Sequence, residues 1–229
     1  MTRHGQAAGL DAREQRAFLA WVETTAYPLR NEVIARLSFE CALRATEIGR
    51  VEWWMAFDPT WRLRPRLQLH ERATKGGYGA RKLLIDPLGL GLALERLRET
   101  ARPERQDRFI VEFRKYSRDP VTRSHAVQAF FREGYREIGC LEASSHSGRR
   151  TAITRMERVA GLRAAQVFAG HRNIATTARY VDPDYAAIDQ VVREQLVIRT
   201  PRLMRMAKAT LPDPEVHHPA NPKQKHHVA

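Results

Sequence analysis

What the chain holds little of narrows the field first. It has two cysteines, Cys41 and Cys140, too few for a disulfide framework, and neither sits in a pair with metal-ligand spacing. Both stand among apolar neighbours, which predicts small buried side chains. No apolar run approaches the roughly 20 residues that cross a bilayer, and Met1-Thr2-Arg3-His4 opens no signal-peptide core. A soluble, cytoplasmic protein without membrane association is the expectation. Acid is scarce as well: 26 Asp and Glu face 39 Lys and Arg, a formal charge of +13. Such an excess favours a polyanion as partner, because each phosphate neutralised by a side chain releases condensed counterions. Arginine supplies much of it, and its planar fork suits phosphate oxygens. A merely basic surface has the same composition, so charge alone does not decide. Hydrophobic residues at 43% supply a core and exclude wholesale disorder.

Periodicity predicts mostly helix. Asp11 and Glu14 form a capping-box pair ahead of Phe18, Trp21 and Val22, which share a helical face. Pro28 interrupts, and Asn31 caps a second helix carrying Val33, Ile34, Leu37 and Cys41. A short helix follows over Thr46 to Val51. Leu67 and Leu69 approach, and Lys82 to Ile85 leave, a turn of Lys75, Gly76, Gly77, Tyr78 and Gly79, the pattern of an antiparallel hairpin. Further helices are expected at roughly 88–100, 120–138, 146–159, 163–169 and 173–189, with one more toward Arg199. From Thr200 onward Pro201, Pro212, Pro214, Pro219 and Pro222 alternate with Lys and His, which predicts a solvated tail. His217, His218, His226 and His227 are read as part of it rather than as metal ligands. The fold class is α+β, mostly helical with one small antiparallel sheet. Three divisions are expected: a tail over 1–9, a domain over 10–199 and a basic Pro/His-rich tail over 200–229.

Four separated clusters carry residues suited to phosphodiester chemistry, which needs cations around the nonbridging oxygens, an in-line nucleophile and an acid for the leaving oxygen. The first, Ala42-Leu43-Arg44-Ala45-Thr46-Glu47-Ile48, offers Arg44, although a surface arginine paired with Glu47 explains it equally. The second, Thr74-Lys75-Gly76-Gly77-Tyr78-Gly79, carries Lys75 at a hairpin tip. Ordinary turn chemistry explains those glycines too. In the third, Ser144 to Thr151, His146 and Arg149 are three residues apart and share a helical face. The fourth runs Phe168-Ala169-Gly170-His171-Arg172-Asn173 and then Ala175 to Asp182, with His171 in a turn and Tyr180 beyond it. Tyr185 is the rival to Tyr180.

Taken together and in this order, "ALRATEI", "TKGGYGARKLLI", "SHSGRRT" and "AGHRNIATTARYVD" resemble the boxes of the tyrosine recombinase (integrase) family. The resemblance covers about Leu10 to Ile198 and is strongest from Ser145 to Asp182. It implies the family's catalytic-domain fold and a site-specific recombinase that needs no metal, ATP or other cofactor. It implies that Arg44 and Arg149 clamp the scissile phosphate and that Tyr180 attacks it to leave a 3′-phosphotyrosyl link. Lys75 would then protonate the 5′ oxygen, while His146 and His171 help with protons and with holding the phosphate.

The implied partner is double-stranded DNA, engaged by a homo-oligomer, a tetramer by family resemblance. Members usually carry a helical core-binding domain ahead of the catalytic one. Only about thirty residues precede the first-arginine helix here, so two outcomes stand open as expectations: weak intrinsic DNA affinity, or an accessory protein supplying the missing DNA clamp. A segment after the tyrosine often docks on the neighbouring protomer. Ala186 to Arg199, with Ile188, Val191, Val192 and Leu196, has the apolar spacing for that or for packing on its own domain. Two alternatives stay open: a noncatalytic DNA-binding module on the same scaffold, and DNA relaxation of the type IB topoisomerase kind.

Overall fold

The structure, a computed structural model, describes residues 8–102, 108–112, 120–180 and 185–196. The expected tail from Thr200, its histidines included, lies outside the described residues. The chain divides into two units, Met1–Asp182 and Pro183–Ala229.

In the first unit, α1 (Ala12–Glu23) starts with the predicted capping box: Asp11 accepts from the Glu14 N–H, and the Glu14 side chain accepts from the Asp11 N–H. The second helix differs from expectation. α2 (Pro28–Phe39) begins at Pro28 with Tyr27 at its cap, and Asn31 lies inside it. Proline suits a first helical turn, where its missing N–H has no partner to lose. Asn31 is instead buried, accepting from Arg30 and donating to Thr25. Cys41 falls just beyond the helix and is fully buried, whereas Cys140 is half-buried beside Glu14.

After α2 the chain reverses at Ala42, whose φ of 51° is left-handed, and the Leu43 N–H bonds back to the Leu37 carbonyl. This helix-ending turn usually takes glycine. It delivers Arg44 to the cap of α3 (Ala45–Ile48), and a separate turn, α4 (Trp53–Ala56), follows where one short helix was expected. The strands β1 (Arg66–Leu69) and β2 (Arg81–Leu84) pair antiparallel, with Leu67 opposite Leu83 and Leu69 opposite Arg81. A wide turn over Pro87–Gly91 precedes α5 (Leu92–Ala101), and α6 (Pro120–Glu137) runs as predicted.

Phe18 centres the main core, with the rings of Trp21, Phe39, Phe130, Phe131 and Tyr135 within 5.7 Å of its own. Gly134 makes that approach possible, since a Cβ there would stand 2.4 Å from Phe18 Cε2. Arg123, fully buried on α6, donates to the Gly49 carbonyl at 2.7 Å and so ties α6 to the end of α3.

The two helices expected near 146–159 and 163–169 are both present: α7 (Ser147–Ala169) is divided in two by a non-helical break at Gly161 (φ 82°, ψ 169°). Its end at Gly170 (φ 65°) is the left-handed stop that glycine permits. α8 (Ile174–Ala178) is short and capped by Asn173, so the expected run to 189 is not continuous. In the second unit, α9 (Tyr185–Val191) continues as a wider turn over Val192–Leu196. The side chains of Tyr185 and Leu196, and residues 197–199, lie outside the described set. The fold is α+β, mostly helical with a small two-stranded antiparallel sheet. Among the described residues no helix is long and apolar enough to cross a membrane.

Candidate active site

The chain reversal after α2, the start of α7 and the α7–α8 turn meet around a small satellite core. Ala42, Ala152, Ile153, Ala165 and Ala169 are buried there, with Met156, Phe168 and Tyr180 packed against them. Small side chains let the backbones approach closely, and Arg149 uses that proximity. Its side chain is fully buried. Nη1 donates to the Ala42 carbonyl, and Nη2 donates to the Ala169 carbonyl at 2.9 Å and lies 2.8 Å from Nε2 of His171.

A guanidinium can only donate, so His171 Nε2 accepts and its ring proton sits on Nδ1. Nδ1 stands 2.9 Å from Thr177 Oγ1, to which it donates. The His171 turn is held from behind by Gln166, which donates to the carbonyls of His171 and Arg172. The His171 ring then stacks on Tyr180, with centroids 5.5 Å apart and planes 29° from parallel. Tyr180 lies just beyond α8, half-buried, and its carbonyl accepts from Thr154 at 2.9 Å.

Among the described residues Glu47 is the one carboxylate in the cluster, and it is fully buried. Its oxygens face Arg81 twice at 3.2 Å and Arg44 at 3.2 Å, and lie 3.7 Å from Arg149 Nη1. It also accepts from the Arg44 N–H at 2.8 Å. Burial alone would push the Glu47 carboxyl up, but Arg81, Arg149 and the Arg44 N–H outweigh it and hold the group below the usual carboxylate range. It therefore stays charged and braces three guanidinium groups.

The cations feel each other in turn. Burial first, then Arg44, bring Arg149 down to about 10 against the opposing pull of Glu47 and Tyr180. It remains protonated at neutral pH. His171 is brought down to about 4 by burial and by Arg149, Arg44 and Arg81, so it is neutral. His146 takes the cap position of α7 and is exposed. Partial burial and the fields of Arg149 and Arg44 lower its pKa as well.

The structure thus brings Arg44, Arg149, His171 and Tyr180 into one cluster, with His146 in electrostatic reach. Lys75 lies in the turn joining β1 to β2; its side chain is not among those described. Sequence reasoning missed Arg81 altogether and saw Glu47 only as a surface partner for Arg44. The available signal for Arg81 was its phase: it falls on the same inward strand face as buried Leu83, where a charge needs a partner.

Three guanidinium groups around one carboxylate leave net positive charge in a largely buried site, which suits an oxyanion. Among the described residues, nothing accepts a hydrogen bond from the buried Nε atoms of Arg149 and Arg81, a costly state that an incoming oxyanion would relieve. A phenol stands beside them. Among the described residues no group of His, Cys, Asp or Glu is placed to hold a metal ion.

Residues 9–187 match the phage integrase family. No curated protein sequence matches the chain. Among solved structures, the fold is similar to XerA recombinase, at 15% identity and a TM-score of 0.64, covering 87% of this chain and 67% of that one. It is similar to a lambda integrase dimer bound to a COC' core site, at 18% identity and a TM-score of 0.56, covering 87% and 52%. It is similar too to the Tn1549 transposon integrase in complex with transposon right end DNA, at 15% identity and a TM-score of 0.61, covering 86% and 69%. At these identities the likeness is one of fold, and the chain spans between half and about two thirds of each relative.

Proposed function

The chain belongs to the phage integrase family, and we propose that it cuts and rejoins double-stranded DNA at specific sites through a covalent link to Tyr180. One observation carries this reading: an unbroken run of contacts from Tyr180 through His171 and Arg149 to Glu47 and Arg44. A nucleophile and two of the expected phosphate-binding cations share one braced cluster.

In this reading Arg44 and Arg149 bind the nonbridging oxygens of the scissile phosphate, where charge builds in the transition state. The Tyr180 oxygen attacks phosphorus and loses its proton. The bond from phosphorus to the 5′ oxygen breaks, and that oxygen takes a proton from Lys75. Neutral, exposed His146 is suited to accept the phenolic proton. His171, neutral and with both ring nitrogens engaged, holds Arg149 in place rather than moving protons. The tyrosyl phosphodiester keeps the bond energy of the original linkage, so attack by a 5′ hydroxyl reverses the step without ATP or a metal. The DNA is held by a homo-oligomer, since two exchanged strands need two nucleophiles.

The test uses nicked duplexes from a pool of candidate sites, which trap a covalent intermediate by losing the short 5′ strand. Wild-type protein is expected to give a protein–DNA adduct on a denaturing gel, and Tyr180→Phe none. An equal adduct from both proteins would overturn the assignment of Tyr180.

A further inference from the structure

The hairpin carrying Lys75 and the turn carrying His171 lie far apart in the sequence, yet they are joined at one place. Arg172, next to His171, sets its guanidinium carbon 4.9 Å from the ring centre of Tyr78, on the hairpin turn. The backbones beneath this pair nearly touch. A Cβ on Gly79 would stand 2.9 Å from the Gly170 carbonyl oxygen, and one on Gly170 would stand 3.1 Å from the Gly79 oxygen. Arg81 closes the junction from inside, donating to the Gly79 carbonyl at 2.9 Å while its other bonds go to Glu47.

The hairpin needs such an anchor. A two-stranded ribbon is marginal alone, and its turn holds Gly76, Gly77 and Gly79 at positive φ, where glycine leaves the backbone many alternatives. Arg81 and the two glycines fix the base of the turn, and Tyr78 and Arg172 bridge the turn to the residue after His171. A cation above an aromatic face is attractive even in water. Both residues are exposed, Tyr78 at 63%, so neither is there to fill the core.

We infer that Tyr78 and Arg172 form a clasp that locks the Lys75 hairpin to the His171 turn. They are positioning residues: the clasp sets where the Lys75 backbone stands relative to the arginine cluster. Its catalytic consequence rests on the function proposed above; its mechanical consequence does not.

Amide hydrogen exchange of the DNA-free protein over 76–84 tests the clasp by itself, using Tyr78→Ala, Tyr78→Phe and Arg172→Gln. Loss of an exposed cation–π contact corresponds to about two- to fivefold faster exchange there in Tyr78→Ala and Arg172→Gln. Tyr78→Phe, which keeps the ring face, is expected to match wild type, and α2 is expected to be unmoved in all three. Single-turnover adduct formation on nicked DNA is the second readout. Tyr78→Ala is expected to slow it over the same range with DNA affinity unchanged, and Tyr78→Phe to restore it. Wild-type exchange in Tyr78→Ala, or a Phe variant as loose as the Ala variant, would overturn the clasp. A loosened hairpin with an unaltered adduct rate would overturn its positioning role. If wild-type protein forms no adduct at all, the proposed function falls, while the exchange rates still decide the clasp.

Discussion

Arg149 and His171 share one proton-defined contact: Nη2 of the buried guanidinium meets Nε2 of the imidazole at 2.8 Å, with Thr177 on the far ring nitrogen. The pair requires a neutral histidine. Protonating Nε2 would set two donors against each other inside a closed site.

Stability is therefore expected to fall with acid in a defined window. The folded pKa of His171 lies at about 4, below the unfolded value near 6.5. Between those two values the unfolded chain binds the extra proton, so stability contributed by the neutral ring is full above about pH 6.5 and is lost progressively toward pH 4. The lowered Glu47 carboxyl acts in the same direction at the acid end. Urea unfolding at several pH values is expected to show a loss of up to about 3 kcal/mol across this window. In His171→Gln the slope is expected to be shallower; an unchanged slope would place the titration elsewhere.

Glu47→Gln is expected to destabilise the protein strongly. Arg81 and Arg149 are buried and share the Glu47 carboxylate as counter-ion, and leaving buried charge uncompensated costs about 3–5 kcal/mol. Thermal unfolding is expected to fall by roughly 10 °C. A change within a degree or two would mean that the arginines find other partners.

Gly148→Ala probes how firmly α7 seats Arg149. A Cβ at Gly148 would stand 2.4 Å from Phe39 Cδ1 and 2.6 Å from Ser38 Oγ, so α7 must back away from α2. Overpacking of this kind costs about 1–3 kcal/mol. Because Arg149 is the next residue, adduct formation is expected to fall by more than stability alone explains. Unfolding and single-turnover rates measured together separate the two effects.

Much of this was legible in the sequence, for reasons that are local. The Asp11–Glu14 capping box, the hairpin around Gly76 and Gly77, and the helix from Pro120 are all set by neighbours within a few residues. Arg44, Arg149, His171 and Tyr180 were singled out by residue type and order, and by likeness to a known pattern, and the fold brings them into one cluster. What escaped depends on contacts far apart in sequence. Nothing near Arg149 announces that its guanidinium will bond the Ala42 carbonyl, 107 residues earlier. Nothing near Glu47 announces Arg81, which reaches it from β2, 34 residues further along the chain. Asn31 was misread because its cap-forming side chain is recruited by Thr25 and Arg30, while Pro28 does the work of starting α2.

The central claim is that Tyr180 becomes covalently joined to DNA, and peptide mapping tests it most directly. The trapped adduct would be trimmed with nuclease, digested with protease, and its nucleotide-bearing peptide sequenced by mass spectrometry. The account predicts a 3′-phosphonucleotide on Tyr180. The same mass on Tyr185, or on any other residue, would contradict it.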